Sequence, residues 1–128
     1  MNSLPRHTLL LVDDHPMMRH GMRQMLELED DLRVVGEAGN GQEALDLIDS
    51  LQPDLVLLDN NMPHMNGLEM LESLQASGGA RGVPVLMLTT EAAPALVDRA
   101  KKAGAKGWIV KPFKAELLLG AVRKLTAA

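Results

Sequence analysis

Short apolar runs alternate along the chain with segments in which apolar residues recur every three or four positions. The runs have the length of buried strands, and the longer segments have the spacing of amphipathic helices. The predicted strands cover residues 8–12, 32–38, 55–58, 83–88 and 106–110. The predicted helices cover residues 16–28, a segment ending near 51, 68–74, 94–104 and 115–125. This alternation predicts one α/β domain over residues 1–128, with a parallel sheet covered by helices on both faces.

The strands differ in how apolar they are. The first, third and fourth are continuously apolar, which predicts central places in the sheet. The second contains Arg33 and Glu37, which favours an edge position. In the first helix the methionines Met18, Met22 and Met25 recur at helical spacing, so we expect them to pack in the core.

Composition narrows the classes of function. The chain has 128 residues, 46% of them hydrophobic, and no cysteine, which excludes disulfides and cysteine-ligated zinc. The net charge of −4 and the presence of only two aromatic residues argue against binding to nucleic acid. No apolar run approaches the roughly 18 residues of a membrane span, and the polar N-terminus is unlike a signal peptide. We therefore expect a cytoplasmic protein that binds neither membrane nor nucleic acid.

Four of the apolar runs stop at residues suited to phosphoryl chemistry. The first is followed by Asp13 and Asp14, the third by Asp59, the fourth by Thr89 and the last by Lys111. Taken singly, each could be a helix cap, a turn or a loop residue. Because the carboxyl ends of parallel strands lie at one edge of the sheet, however, all five are expected to converge there.

Three carboxylates in one place repel one another, and a hard divalent cation relieves that repulsion. Mg²⁺ suits such a site because it accepts a few carboxylates and keeps waters for a phosphate; Mn²⁺ is a possible substitute. A carboxylate beside the ion can act as a nucleophile and form an aspartyl phosphate. The ion and a lysine would neutralise the transferring group, and a threonine hydroxyl could bond a phosphoryl oxygen.

Together these motifs resemble a two-component response-regulator receiver domain over essentially the whole chain. The motifs are Val12-Asp13-Asp14, Asp59 with Met62-Pro63 and Asn66-Gly67, Leu88-Thr89, and the run from Gly107 to Phe113. The resemblance implies a flavodoxin-like fold, with a five-stranded parallel sheet of order 2-1-3-4-5 and five helices. It also implies that the peptide bond before Pro112 is cis.

The resemblance assigns roles by position. Asp59 corresponds to the phosphoacceptor, Asp14 to a direct Mg²⁺ ligand and Asp13 to a ligand acting mainly through water. The backbone carbonyl of Asn61 would complete the protein ligands, and Lys111 would pair with the phosphoryl group.

The resemblance also implies a switch. Thr89 corresponds to the switch hydroxyl and Trp108 to the switch aromatic, with a half-buried aromatic of an edge strand as the less favoured interpretation of Trp108. Their movement would repack the surface formed by the fourth helix, fifth strand and fifth helix, where an unidentified protein target would bind. Asn61 and Glu91 occupy positions that tune dephosphorylation, and they predict a short-lived phosphorylated state.

The match to subfamilies is uneven. The first half is similar to receivers of LuxR-type DNA-binding regulators, and the last third to single-domain chemotaxis receivers. We expect a stand-alone receiver, with the receiver half of a DNA-binding regulator as the alternative. Its donor would be a histidine kinase or phosphotransfer protein, and its state a monomer or a weak phosphorylation-dependent dimer.

Two other classes of function remain open. One is a Mg²⁺-dependent phosphohydrolase with an aspartyl-phosphate intermediate. Such an enzyme needs an acid/base aspartate close to the nucleophile, whereas Asn60 and Asn61 follow Asp59. The other is an interaction module that works without phosphorylation, which the complete acidic set and Lys111 disfavour. We therefore expect no enzyme beyond self-phosphorylation and autodephosphorylation.

Overall fold

The computed structural model describes residues 7–59, 67–77, 83–89 and 93–126. Within these ranges strands and helices alternate as predicted. The strands are β1 (His7–Val12), β2 (Leu32–Ala38), β3 (Leu55–Asp59), β4 (Val85–Thr89) and β5 (Gly107–Val110). The helices are α1 (Pro16–Glu27), α2 (Gly41–Leu51), α3 (Gly67–Ser77), α4 (Pro94–Lys102) and α5 (Ala115–Thr126).

The strands form one parallel sheet in the order β2-β1-β3-β4-β5, which confirms the predicted fold. The three most apolar strands are the inner ones, and β2 with its exposed Arg33 lies at an edge. The register pairs Asp59 with Leu88 and Thr89 with Val110. The ends of β3, β4 and β5 therefore lie side by side along one edge of the sheet.

Alternate residues of each inner strand face opposite layers of helices, because successive side chains of a strand point to opposite faces. Leu10 and Val56 belong to a core cluster that includes residues of α2, α3 and α4. Leu9 and Leu55 belong to a second cluster with residues of α1 and α5. Helices thus cover both faces, as the alternation of elements predicts.

Some local predictions were wrong. Helix α3 covers 67–77 rather than 68–74, and β4 begins at Val85 rather than at residue 83. Pro84 has no N–H to donate, although its carbonyl still accepts from Val56 at 3.0 Å. Met18 is 50% exposed, whereas Met22 and Met25 pack against the core as expected.

In the part of the chain that the structure describes, none of the helices combines the length and the apolar character needed to cross a membrane.

Candidate functional site

The carboxyl edge of the sheet gathers the polar residues that the strand ends predict. Asp13 follows β1, Asp59 and Thr89 end β3 and β4, and Lys111 follows β5. Asp13, Asp59 and Thr89 are buried, although charged side chains are seldom buried without partners. The buried carboxylates of Asp13 and Asp59 therefore mark this edge of the sheet as the candidate site.

Lys111 and Asp59 form an ion pair. Lys111 Nζ donates to Asp59 Oδ1 at 3.1 Å. The Asp59 side chain is 1% exposed and that of Lys111 is 17% exposed, so water screens the pair weakly. The Lys111 backbone is fixed as well, since its N–H donates to the Thr89 carbonyl at 2.7 Å. The peptide bond between Lys111 and Pro112 is cis, as predicted.

The loop after β1 holds the other two carboxylates. Asp13 Oδ1 accepts from the backbone N–H of His15 and lies 2.9 Å from its Nδ1. Asp14 Oδ1 is buried and lies at ion-pair distance, 2.9 Å, from the same Nδ1. The hydrogen bond with Asp13 and the charges of Asp14 and Asp13 raise the pKa of His15. The sequence favours a loop role for His15 beside the acidic pair, with at most a modest effect on the site, whereas the structure brings its ring into contact with both carboxylates.

These side chains could hold a metal ion. One ligand atom each from Asp13, Asp14, His15 and Asp59 lie within 4.8 Å of one another. The donors are mainly carboxylate oxygens, which suits a hard divalent cation, and His15 is 60% exposed, which leaves the group open to water on one side. The chemistry of the donor set therefore fits the predicted cation. The Asn61 carbonyl lies outside the described residues.

The predicted switch residues occupy neighbouring strands. Thr89 is fully buried at the end of β4, and Trp108 lies in β5 opposite Met87. Trp108 packs against the core cluster shared with α2, α3 and α4. Its Nε1 is buried and has no hydrogen-bond partner among the described residues. Glu91, the predicted dephosphorylation-tuning residue, lies outside the described ranges.

Sequence reasoning missed Arg19 altogether. Its Nη1 donates to the carbonyl oxygen of Asp13, and its Nε donates to Glu37 Oε1 at 3.3 Å. Arg23 Nη1 donates to the other Glu37 oxygen at 2.8 Å. The hydrogen bond from Arg23, followed by that from Arg19, lowers the pKa of Glu37 despite partial burial. Glu37, a partly buried acidic residue near the end of β2, is the sequence signal that could have pointed to this network.

Comparison with known proteins shows which family the chain resembles. The family model described as response regulator receiver domain matches residues 9–123. The chain is 42% identical to the nitrate/nitrite response regulator protein NarL of Escherichia coli over 120 residues. The aligned region covers 94% of this chain and 55% of NarL. The chain thus spans about half the length of the curated relatives it matches.

Solved structures of two kinds share the fold. A LuxR-family two-component response regulator from Aurantimonas is 31% identical with a TM-score of 0.87, covering 95% of this chain and 86% of that one. The chemotaxis protein CheY4 of Vibrio cholerae is 33% identical with a TM-score of 0.85, covering 94% of this chain and 98% of that one. These are the two kinds of receiver that the first half and the last third of the sequence resemble.

Proposed function

Because the chain belongs to the response-regulator receiver domains of two-component signalling, we propose that Asp59 is its phosphoacceptor. The observation that carries the proposal is the buried Asp59 carboxylate, paired with Lys111 and grouped with Asp13 and Asp14. A carboxylate oxygen of Asp59 would attack the phosphorus of a phosphohistidine. The nitrogen–phosphorus bond breaks, the imidazole leaves with its electron pair, and an acyl phosphate forms on Asp59.

The surrounding residues suit that transfer. Lys111 is close enough to turn its ammonium from the carboxylate to an incoming phosphoryl oxygen. Asp13, Asp14 and Asp59 would hold Mg²⁺, or Mn²⁺ in its place, together with the carbonyl of Asn61. The bound ion would supply further charge neutralisation for the transferring group.

The output of the switch would be a changed protein-binding surface. Thr89 would bond the new phosphoryl oxygens, and Trp108, whose indole N–H has no acceptor among the described residues, would change its packing. Since Trp108 in β5 packs against the core cluster that includes Ala100 of α4, its movement would alter the surface formed by α4, β5 and α5. A covalent charge at Asp59 would thereby bias a two-state element.

Intact mass after incubation with acetyl phosphate and Mg²⁺ tests the proposal. We expect one added phosphoryl group on the wild type and none on Asp59→Asn or in EDTA. Asp49→Asn, which removes an exposed carboxylate of α2, is the matched control and should be phosphorylated normally. Trp108 fluorescence recorded in parallel should change only in samples that carry the adduct.

Other outcomes separate the competing functions. An adduct on Asp59→Asn would place the acceptor elsewhere. Turnover of a generic phosphate ester beyond one equivalent would favour a phosphohydrolase. A wild type that neither gains an adduct nor responds to beryllofluoride would favour a phosphorylation-independent module.

The acyl phosphate should be short-lived. Asn61 and Glu91 supply an amide and a carboxylate that resemble those of receivers with fast turnover, so phosphorylated protein should lose its adduct quickly. A lifetime of many hours with Mg²⁺ present would contradict this. The proposal includes self-phosphorylation and autodephosphorylation but no catalysis on external substrates.

The similarity to a LuxR-family response regulator favours a second proposal about output, namely that this receiver controls a DNA-binding domain. The other possible output is a separate protein target, as expected of a stand-alone receiver. An immunoblot of the native cells distinguishes them. A band at the mass of 128 residues supports a separate target, and a band near twice that mass supports an attached domain.

In either case we propose a cytoplasmic protein that is monomeric, or weakly dimeric when phosphorylated. Sedimentation with beryllofluoride would report its oligomeric state.

A further inference from the structure

Arg19 ties the acidic loop to the edge strand of the sheet. Its Nη1 donates to the carbonyl oxygen of Asp13, and its Nε donates to Glu37 of β2 at 3.3 Å. Arg19 lies in the second turn of α1 and its side chain is only 19% exposed. The guanidinium therefore connects three parts of the fold at the site: α1, β2 and the loop after β1.

The hydrogen bond from Arg19 to the Asp13 carbonyl affects the orientation of both Asp13 and Asp14. The Asp13 carbonyl and the Asp14 amide belong to one planar peptide group, so fixing the carbonyl fixes the plane from which both residues extend. In the preceding peptide group, the Asp13 amide donates to the Ala38 carbonyl at 3.0 Å. Arg19 therefore fixes the next peptide group, between Asp13 and Asp14, which the bond to Ala38 does not hold directly.

The guanidinium is itself held in place. Glu37 accepts from Arg19 through one oxygen and from Arg23 through the other, the latter at 2.8 Å. A Cβ at Gly39 would lie 3.3 Å from Arg19 Nη1, closer than an ordinary contact, so the absence of a side chain at Gly39 makes room for the guanidinium. Residues that hydrogen-bond to metal ligands without touching the metal commonly hold those ligands in place, and Arg19 has this position.

We propose that Arg19 is a positioning residue that orients Asp13 and Asp14 for the divalent cation, with Glu37 as its anchor. This inference rests on the proposed function, since it assumes that the carboxylates bind Mg²⁺. A purely electrostatic role predicts the opposite sign, because a cation beside the site repels Mg²⁺ and its removal would tighten binding. Orientation predicts weaker binding when Arg19 is replaced.

Titration calorimetry of the whole chain with Mg²⁺ alone tests the inference. We expect about tenfold weaker Mg²⁺ binding for both Arg19→Gln and Arg19→Lys. Lysine keeps the positive charge but cannot bond the Asp13 carbonyl and Glu37 together as the guanidinium does. Arg23→Gln is the matched control, since Arg23 bonds the same Glu37 without contacting Asp13. It should bind Mg²⁺ within twofold of the wild type.

Two further measurements separate positioning from loss of stability. Unfolding in EDTA should show similar losses for Arg19→Lys and Arg23→Gln, although only the former binds Mg²⁺ weakly. The amide ¹H–¹⁵N resonance of Asp14 should shift in Arg19→Lys and stay in place in Arg23→Gln. If Arg19→Gln fails to fold, Arg19→Lys and Glu37→Gln still test the inference. Glu37→Gln should bind Mg²⁺ about threefold more weakly than the wild type.

The outcomes are distinguishable. Unchanged or tighter Mg²⁺ binding by the Arg19 variants, or an equal loss in Arg23→Gln, would overturn the positioning role while leaving the proposed function intact. A wild type that does not bind Mg²⁺ would overturn the proposed function and this inference with it.

Discussion

Lys111 reaches Asp59 across an intervening strand. Its Nζ lies 3.1 Å from Asp59 Oδ1, although Asp59 ends β3, Lys111 follows β5, and β4 lies between them. The long side chain therefore passes the end of β4, where Thr89 lies. The geometry keeps one positive charge beside the buried carboxylate of Asp59.

Replacing Lys111 should slow phosphorylation more than it weakens cation binding. Lys111→Gln removes the charge that would stabilise the transferring group, and loss of one such donor costs about 100-fold in rate. The rate with acetyl phosphate at saturating Mg²⁺, followed by intact mass, measures the effect. Lys114→Gln, which removes an exposed lysine three residues on, should keep the wild-type rate; equal rates for the two variants would contradict this role for Lys111.

Thr89→Ala should separate phosphorylation from the switch. The carboxylates and Lys111 remain, so the protein should still gain one phosphoryl group, but no hydroxyl is left to bond it. The change in Trp108 fluorescence should then be largely lost, whereas Thr89→Ser should retain it. A full fluorescence change in the phosphorylated alanine variant would show that Thr89 is not the switch.

The bridge formed by Glu37 should make part of the stability depend on acid pH. Arg23 and Arg19 lower the pKa of Glu37 below its ordinary value of 4.5. A carboxyl whose pKa is lower in the folded state stabilises the fold above the unfolded pKa, and that contribution disappears as pH falls through the folded pKa. Glu37→Gln should therefore cost about 1 kcal/mol at pH 7 and progressively less below about pH 4.5.

Urea unfolding at a series of pH values measures that difference. Asp49→Asn, at an exposed position on α2, should show a small and nearly constant difference from the wild type. A Glu37→Gln penalty that persists unchanged to pH 3 would mean that the glutamate acts through packing rather than charge.

The sequence predicts the sheet well because its information is local. A continuously apolar run such as Leu55–Leu58 can be buried on both faces only at the centre of a parallel sheet, and its last residue must lie at the carboxyl edge. The polar residue after each run is therefore placed by the strand itself. The strand ends therefore predict the positions of Asp59, Thr89 and Lys111 without any knowledge of tertiary contacts.

What the sequence could not supply depends on how separate elements pack. Arg19 reaches the Asp13 carbonyl and Glu37 only because α1 lies over β1 and β2, a contact that helical periodicity does not encode. Met18 has the right spacing for the core, yet it lies in the first turn of α1 and is 50% exposed. Periodicity gives the face of a helix, but not how far along the helix the core extends.

The same substitution should have opposite effects on two glycines. At Gly107 in β5 an added Cβ would lie 2.6 Å from Leu86 Cδ1 and 3.3 Å from Leu125 Cδ1, within the packed core. Gly107→Ala should therefore destabilise the fold by about 1–3 kcal/mol. At Gly120 in α5 nothing lies within 4 Å of an added Cβ, so Gly120→Ala should stabilise the helix by about 0.5–1 kcal/mol. Urea unfolding of both variants checks the pair. Equal changes of the same sign in the free energy of unfolding would show that backbone propensity, rather than the close approach of Leu86, determines the effect of Gly107→Ala.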